Sequence, residues 1–175
     1  PKTGMKRWTH RLSAPNPEAG VLTTASDMLF GGARDGSFFA LDARTGKELW
    51  IAESIPPGAY NISTGAPRTM NGKVIIGNGG ADFGARGFVT AFDAGTGKML
   101  WRFYTVPGSP DDNKGDPAME AAAKTWRGEW WKTGTGGTVW NGMTFDPELN
   151  RVYIGVGNAG PYDPELRSPG GGDNL

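Results

Sequence analysis

The chain has 175 residues, with 18 basic and 18 acidic side chains and a formal net charge of zero. Its 29 glycines and 13 prolines are about a quarter of the chain, against roughly 12% in average usage, yet the seven Trp, eight Phe and four Tyr are too many for a disordered chain. The charge balance argues against a nucleic-acid or polybasic membrane partner, no apolar run approaches the roughly 20 residues of a membrane helix, and the lack of cysteine excludes disulfides, thiolate metal sites, Cys-x-x-Cys-His haem attachment and a cysteine nucleophile.

The first residues, PKTGMKRW, contain no hydrophobic signal region, so a targeting peptide is expected to be missing or already removed. An internal repeat then organises the chain. Residues 28–50 read MLFGGARDGSFFALDARTGKELW, and residues 74–101 read VIIGNGGADFGARGFVTAFDAGTGKMLW. Each is a strand, a glycine-rich turn, a second strand, then Ala-x-Asp-Ala-x-Thr-Gly-Lys-x-x-Trp. Ala40 and Ala91, Asp42 and Asp93, Thr45 and Thr96, Gly46 and Gly97, and Trp50 and Trp101 all sit at an offset of 51.

The apolar runs FFALD and VTAFD suit buried strands. Asp and Thr bond nearby amides in the turn, and Gly supplies a positive φ. The Trp is expected to open the next strand and pack over the preceding turn, with Trp50 and Trp101 in matching sites. A repeat of about 50 residues built of short strands predicts four-stranded antiparallel β-propeller blades. A β-helix has a shorter period, and a leucine ladder is absent.

Residues 107–132, PGSPDDNKGDPAMEAAAKTWRGEWWK, break the pattern. Asp116 before Pro117 suits a helix start, so this is read as an insertion with a short helix, either a functional lid or a packed surface excursion. RVYIGVGNAG then begins a third repeat, residues 151–175. The division is thus one partial propeller domain over residues 1–175.

Little here suits hydrolysis. The single His10 has no obvious partner, and neither a Gly-x-Ser-x-Gly elbow nor a Walker loop is present. GNGGADFGARG lies between two strands, whereas a dinucleotide loop must open a helix. Three clusters remain: Ser63–Pro67 before a strand, Asn78–Asp82 after one, and Gly136–Trp140 followed by Gly155–Asn158. Glycines at strand ends let a backbone approach a flat ligand closely, but they are as often simple turns. Asp82 and Asn158 are oxygen donors suited to a hard cation, though an isolated Asp or Asn is usually a turn residue. Trp140 reads equally well as packing between blades.

Read together, STGAPRTMNGKVIIGNGGADFGARGFVTAFDAGTGKMLWRFYTVPGSP and AMEAAAKTWRGEWWKTGTGGTVWNGMTFDPELNRVYIGVGNAGPYDPELRSPGGGDNL closely resemble the alcohol dehydrogenases that depend on pyrroloquinoline quinone (PQQ), the methanol/ethanol family of quinoproteins. The resemblance implies an all-β fold, part of an eight-bladed propeller, whose blades are locked by the family's tryptophan-docking motif. It implies that Thr64 and Thr138 hydrogen-bond PQQ, that Gly79, Gly80 and Ala81 contact its carboxylates, and that Trp140 stacks on its plane. It also implies that Asp82 and Asn158 ligate calcium. The family usually has Glu where Asp82 stands, one methylene longer, which leaves the metal distance or identity open.

The implied activity is oxidation of a small alcohol to an aldehyde, with calcium as a Lewis acid, a carboxylate base, PQQ as hydride acceptor and cytochrome c as electron acceptor, in the periplasm. The family's adjacent cysteine pair, the arginine after it and the catalytic aspartate, which normally lies beyond GGDNL, have no counterpart here. The chain alone is therefore expected not to oxidise alcohols. The alternative is a non-catalytic blade module that binds partners or self-assembles; a non-enzymatic propeller such as an outer-membrane assembly scaffold would share the docking motif but not GGADFGARG and GTVW together. Residues 16–50 look most like a blade from the family's C-terminal part, so a fusion, deletion product or rearranged fragment is also expected.

Overall fold

The structure, a computed structural model, describes residues 3–12, 19–56, 63, 65–134 and 136–172. Two four-stranded sheets of consecutive antiparallel strands dominate it. The first comprises β1 (Val21–Thr23), β2 (Met28–Gly32), β3 (Ser37–Asp42) and β4 (Glu48–Glu53). The second comprises β5 (Arg68–Met70), β6 (Lys73–Gly77), β7 (Phe88–Asp93) and β8 (Met99–Tyr104). Register repeats with sequence: Ala40 opposes Trp50 and Ala91 opposes Trp101, and each strand pair carries an irregularity one residue later.

A third, two-stranded sheet pairs β9 (Met143–Asp146) with β10 (Arg151–Ile154); β10 starts at Arg151, in the same phase as β2 and β6 of the other sheets. The turn between them is local: the Asp146 carboxylate accepts the amides of Glu148 and Leu149, each at 3.0 Å, and Asn150 takes a positive φ of 49°. PELN is therefore a hairpin turn.

Alternation along the middle sheet places two cores. Val74, Ile76 and Phe92 pack with Phe30, Phe38, Ala40 and Trp50 of the first sheet. Ile75, Val89 and Ala91 pack with Val139 and Met143 on the opposite side. The middle sheet is thus covered on both faces, which is why VIIG and FVTAF read as continuous apolar runs rather than alternating ones.

The repeated turn is built as its residues suggest. Asp42 accepts from the Thr45 hydroxyl at 2.8 Å and the Thr45 amide at 2.7 Å, and Asp93 accepts from the Thr96 hydroxyl at 2.8 Å and the Thr96 amide at 2.9 Å. Gly46 and Gly97 follow at φ 74° and 72°. The hydroxyl bond first, then the amides, hold both carboxyls below the usual carboxylate range. A depressed folded-state value means that this stabilisation is present above the ordinary carboxylate value, about 4, and is lost as pH falls through the folded one. Thermal melts are expected to drop below pH 4, and to drop less in a Thr45→Val/Thr96→Val double variant.

Trp50 does not pack over the turn that precedes it. Its ring lies on Gly97, where a Cβ would come within 2.6 Å of it, and its Nε1 donates to the Ala94 carbonyl at 3.0 Å, so it reaches the turn of the following repeat. Trp8 does the same one repeat earlier, with its ring on Gly46 and Nε1 donating to Ala43 at 3.1 Å. The matching packing expected for Trp101 is also corrected: Trp50 is 8% exposed and Trp101 37%, because a third Asp-Ala-x-Thr-Gly turn is not found among the described residues.

The insertion begins as expected. Asp116 caps α1 (Pro117–Ala123) by accepting the amides of Ala118 and Met119 at 3.1 and 3.2 Å. Its Trp126 and Trp130 form a buried cluster with Val106, and Trp130 donates to the Pro107 carbonyl at 3.1 Å. A second short helix, α2 (Pro164–Arg167), capped by Asp163, was not expected from sequence, although Asp-Pro-Glu carries the same start signal as Asp116-Pro117.

Candidate functional site

Three segments far apart in sequence meet in one cleft. The loop after β6 contributes Gly79, Gly80, Ala81, Asp82 and Phe83; the segment before β9 contributes Thr138 and Trp140; the segment after β10 contributes Asn158. The cleft holds about 250 Å³. All the residues singled out in sequence line it except Thr64, which lies outside the described residues. Its neighbours are placed close by: a Cβ on Gly65 would sit 2.7 Å from the Trp140 carbonyl oxygen, and buried Ser63 shares a 2.7 Å hydrogen bond with Ser54.

Asp82 stands on a single 3-10 turn, Ala81–Phe83, flanked by left-handed Gly80 (φ 98°) and Gly84 (φ 80°). Only glycine adopts these angles readily, so the two glycines turn Asp82 outward into the cleft mouth. Buried Asn78 closes the root of this loop, donating to the Arg86 carbonyl at 2.9 Å and accepting the Phe88 amide at 2.8 Å.

The opposite wall is a stretch of irregular backbone held on both sides. The Gly136 amide donates to Ala85 and the Gly87 amide to Gly136. Gly137 donates to Asn158 at 2.9 Å, and Gly157 to Thr138 at 2.8 Å. Glycine is required where these backbones touch: a Cβ on Gly157 would lie 2.5 Å from the Trp140 indole nitrogen, and one on Gly77 or Gly87 would overlap the carbonyls of Val139 or Gly137.

Two features of the cleft would suit a ligand. Trp140 is 48% exposed. The Thr138 hydroxyl is buried with no hydrogen-bond partner among the described residues, a costly arrangement unless a ligand's polar atom completes it. Asp82 and half-buried Asn158 add two oxygen donors to the same cleft. No cluster of three or more His, Asp or Glu side chains occurs among the described residues. A hard cation takes six to eight oxygens, so it would need the ligand's own oxygens or solvent beside these two. A flat ligand that brings its own oxygen donors to such a cation would fit this set.

Residues 52–163 match the family model PQQ, glucose/ethanol/alcohol dehydrogenase, beta-propeller domain, and the chain belongs to this family of PQQ β-propeller dehydrogenases. It is 55% identical over 150 residues to the quinohemoprotein alcohol dehydrogenase ADH IIB of Pseudomonas putida, covering 85% of this chain and 22% of that one. The crystal structure of the quinohemoprotein alcohol dehydrogenase of Comamonas testosteroni superposes with a TM-score of 0.90 at 45% identity, over 99% of this chain and 28% of that chain. A europium-containing methanol dehydrogenase superposes with a TM-score of 0.73 at 36% identity, over 89% of this chain and 28% of that chain.

The chain therefore spans about a fifth to a quarter of the relatives it matches. One superposition takes in 99% of this chain within 28% of the Comamonas enzyme.

Proposed function

We propose that this chain forms part of a PQQ-dependent alcohol dehydrogenase and supplies one wall of its cofactor site. The observation that carries the reading is the convergence of Asp82, Thr138, Trp140 and Asn158 on one cleft, with an uncovered indole and an unsatisfied buried hydroxyl. Trp140 would take the flat face of PQQ, Thr138 would donate to one of its oxygens, and the Gly79–Ala81 backbone would border its carboxylates. Thr64 would add a second hydroxyl. Asp82 and Asn158 would hold a hard cation, calcium by the family resemblance; the shorter Asp82 carboxylate and the europium-containing relative make a lanthanide the competing occupant.

When bound, PQQ supplies the carbonyl that accepts hydride from an alcohol. This chain's residues bind and orient. Asp82, if it held a cation, would be poorly placed to take the hydroxyl proton as well, so the base would come from elsewhere in the protein, and loss of a base typically costs 10²–10⁴-fold in rate. The 175 residues alone are accordingly expected to show no dye-linked alcohol oxidation with PQQ and calcium. Passage of electrons to cytochrome c and a periplasmic setting belong to the same proposal.

A chimera tests it. Residues 65–172 replace the corresponding segment of the Comamonas testosteroni enzyme, and PQQ-dependent alcohol oxidation is measured. The expected result is activity within about tenfold of the parent that is lost when Trp140→Ala is added. A folded, PQQ-loaded chimera indifferent to Trp140→Ala would contradict the proposal.

A further inference from the structure

Three segments cross at one residue that the cleft itself does not include. Arg86 ends the Asp82 loop. Its main chain forms an isolated parallel bridge with Gly136, made by the Gly136 amide on Ala85 and the Gly87 amide on Gly136, and so holds the segment that leads to Thr138 and Trp140. Its carbonyl accepts from Asn78, which closes the loop root. Its side chain runs to the root of the insertion: Nε donates to the Val106 carbonyl at 3.0 Å, and the guanidinium lies 3.8 Å over the Tyr104 ring.

Gly108 makes room for that head group, since a Cβ there would come within 2.6 Å of it. Gly108 is in turn pinned by buried Asn113, which accepts its amide at 2.8 Å and donates to its carbonyl at 3.0 Å. The other end of the insertion returns to the same loop, where a Cβ on Gly84 would lie 3.1 Å from the Thr133 carbonyl oxygen.

This arrangement costs stability. Burial pushes the guanidinium below its ordinary value, against the pull of Tyr104, Asp112 and Asp116, and Nη2 is buried with no hydrogen-bond partner among the described residues. An apolar side chain would fill the space more cheaply. What an apolar side chain lacks is a planar fork that donates to one loop while stacking on a ring.

We propose that Arg86 is a positioning residue: it sets the spacing of the two walls of the cleft, the Asp82 loop and the Thr138–Trp140 segment, by clamping both to the root of the insertion. The insertion is thus a buttress, not a lid. The inference rests on the cofactor site proposed above, and its test is arranged to separate the two.

Hydrogen exchange is measured on the free chain for wild type, Arg86→Lys, Arg86→Gln and Gly108→Ala, and PQQ dissociation constants are measured on the same proteins. The amides of Ala85, Gly87 and Gly136 are expected to exchange at least about tenfold faster in all three variants. Amides of β2 and β3 should be unchanged, and PQQ should bind about tenfold more weakly. Lys keeps the charge but not the fork, so it should not rescue.

Unchanged exchange at these amides, or full restoration of exchange and affinity by Lys, overturns the inference. If an Arg86 variant fails to fold, Gly108→Ala decides, because it displaces the guanidinium without removing it. If wild type itself binds no PQQ, the cofactor site falls, and the exchange data still decide the role of Arg86.

Discussion

Replacing Trp50 with Ala should lower the unfolding free energy of this chain by about 3–5 kcal/mol, the range for removing a large buried aromatic. The side chain is 8% exposed and packs among Phe30, Phe38 and Phe92, with ring centroids 5.7–6.5 Å away. It also covers Gly97 and satisfies the Ala94 carbonyl. Its loss opens a cavity between the first and second sheets and strips a bond from the turn of the second. Trp101→Ala, at the same register position but 37% exposed, should cost about 1 kcal/mol or less. Urea denaturation of the two variants checks this. Equal losses would mean that strand register, not contact with the following turn, decides the role of each tryptophan.

That contrast bears on what sequence can reveal. The strands were legible because burial on both faces leaves uninterrupted apolar runs such as VIIG and FVTAF. The turns were legible because Asp, Thr and Gly act on their own near neighbours. The partner of Trp50 was not, since it lies 44 residues downstream at Ala94 and no local pattern points there.

The cleft residues were legible through the family resemblance, because strand-end glycines by themselves read equally well as turns. Asn78 and Arg86 were missed as structural anchors for the opposite reason. An Asn before Gly-Gly looks like a turn residue and an Arg beside Gly87 like a solvated charge, while their bonds run to Phe88 and Val106. The one sequence signal was an arginine directly before Gly87 at the foot of a buried strand.

The central claim, that Thr138 and Trp140 form a PQQ-binding wall, is tested most directly by equilibrium binding of PQQ to the purified chain with calcium present, followed by the cofactor's absorbance. Wild type is compared with Trp140→Ala and Thr138→Val. Removing an aromatic stacking platform costs about 1–3 kcal/mol, so Trp140→Ala should weaken binding by about 5- to 150-fold. Because Trp140 is half exposed in the free chain, its removal should leave the melting temperature nearly unchanged.

Thr138→Val is the sharper probe, since its two effects have opposite signs. The hydroxyl is buried and unsatisfied in the free chain, so its removal should raise stability by up to about 1 kcal/mol, while the lost bond to PQQ should weaken binding about 5- to 10-fold. A chain that gains stability and loses PQQ in Thr138→Val, and loses PQQ alone in Trp140→Ala, is the predicted result. Binding that is absent from wild type, or unaltered in both variants, would contradict the account.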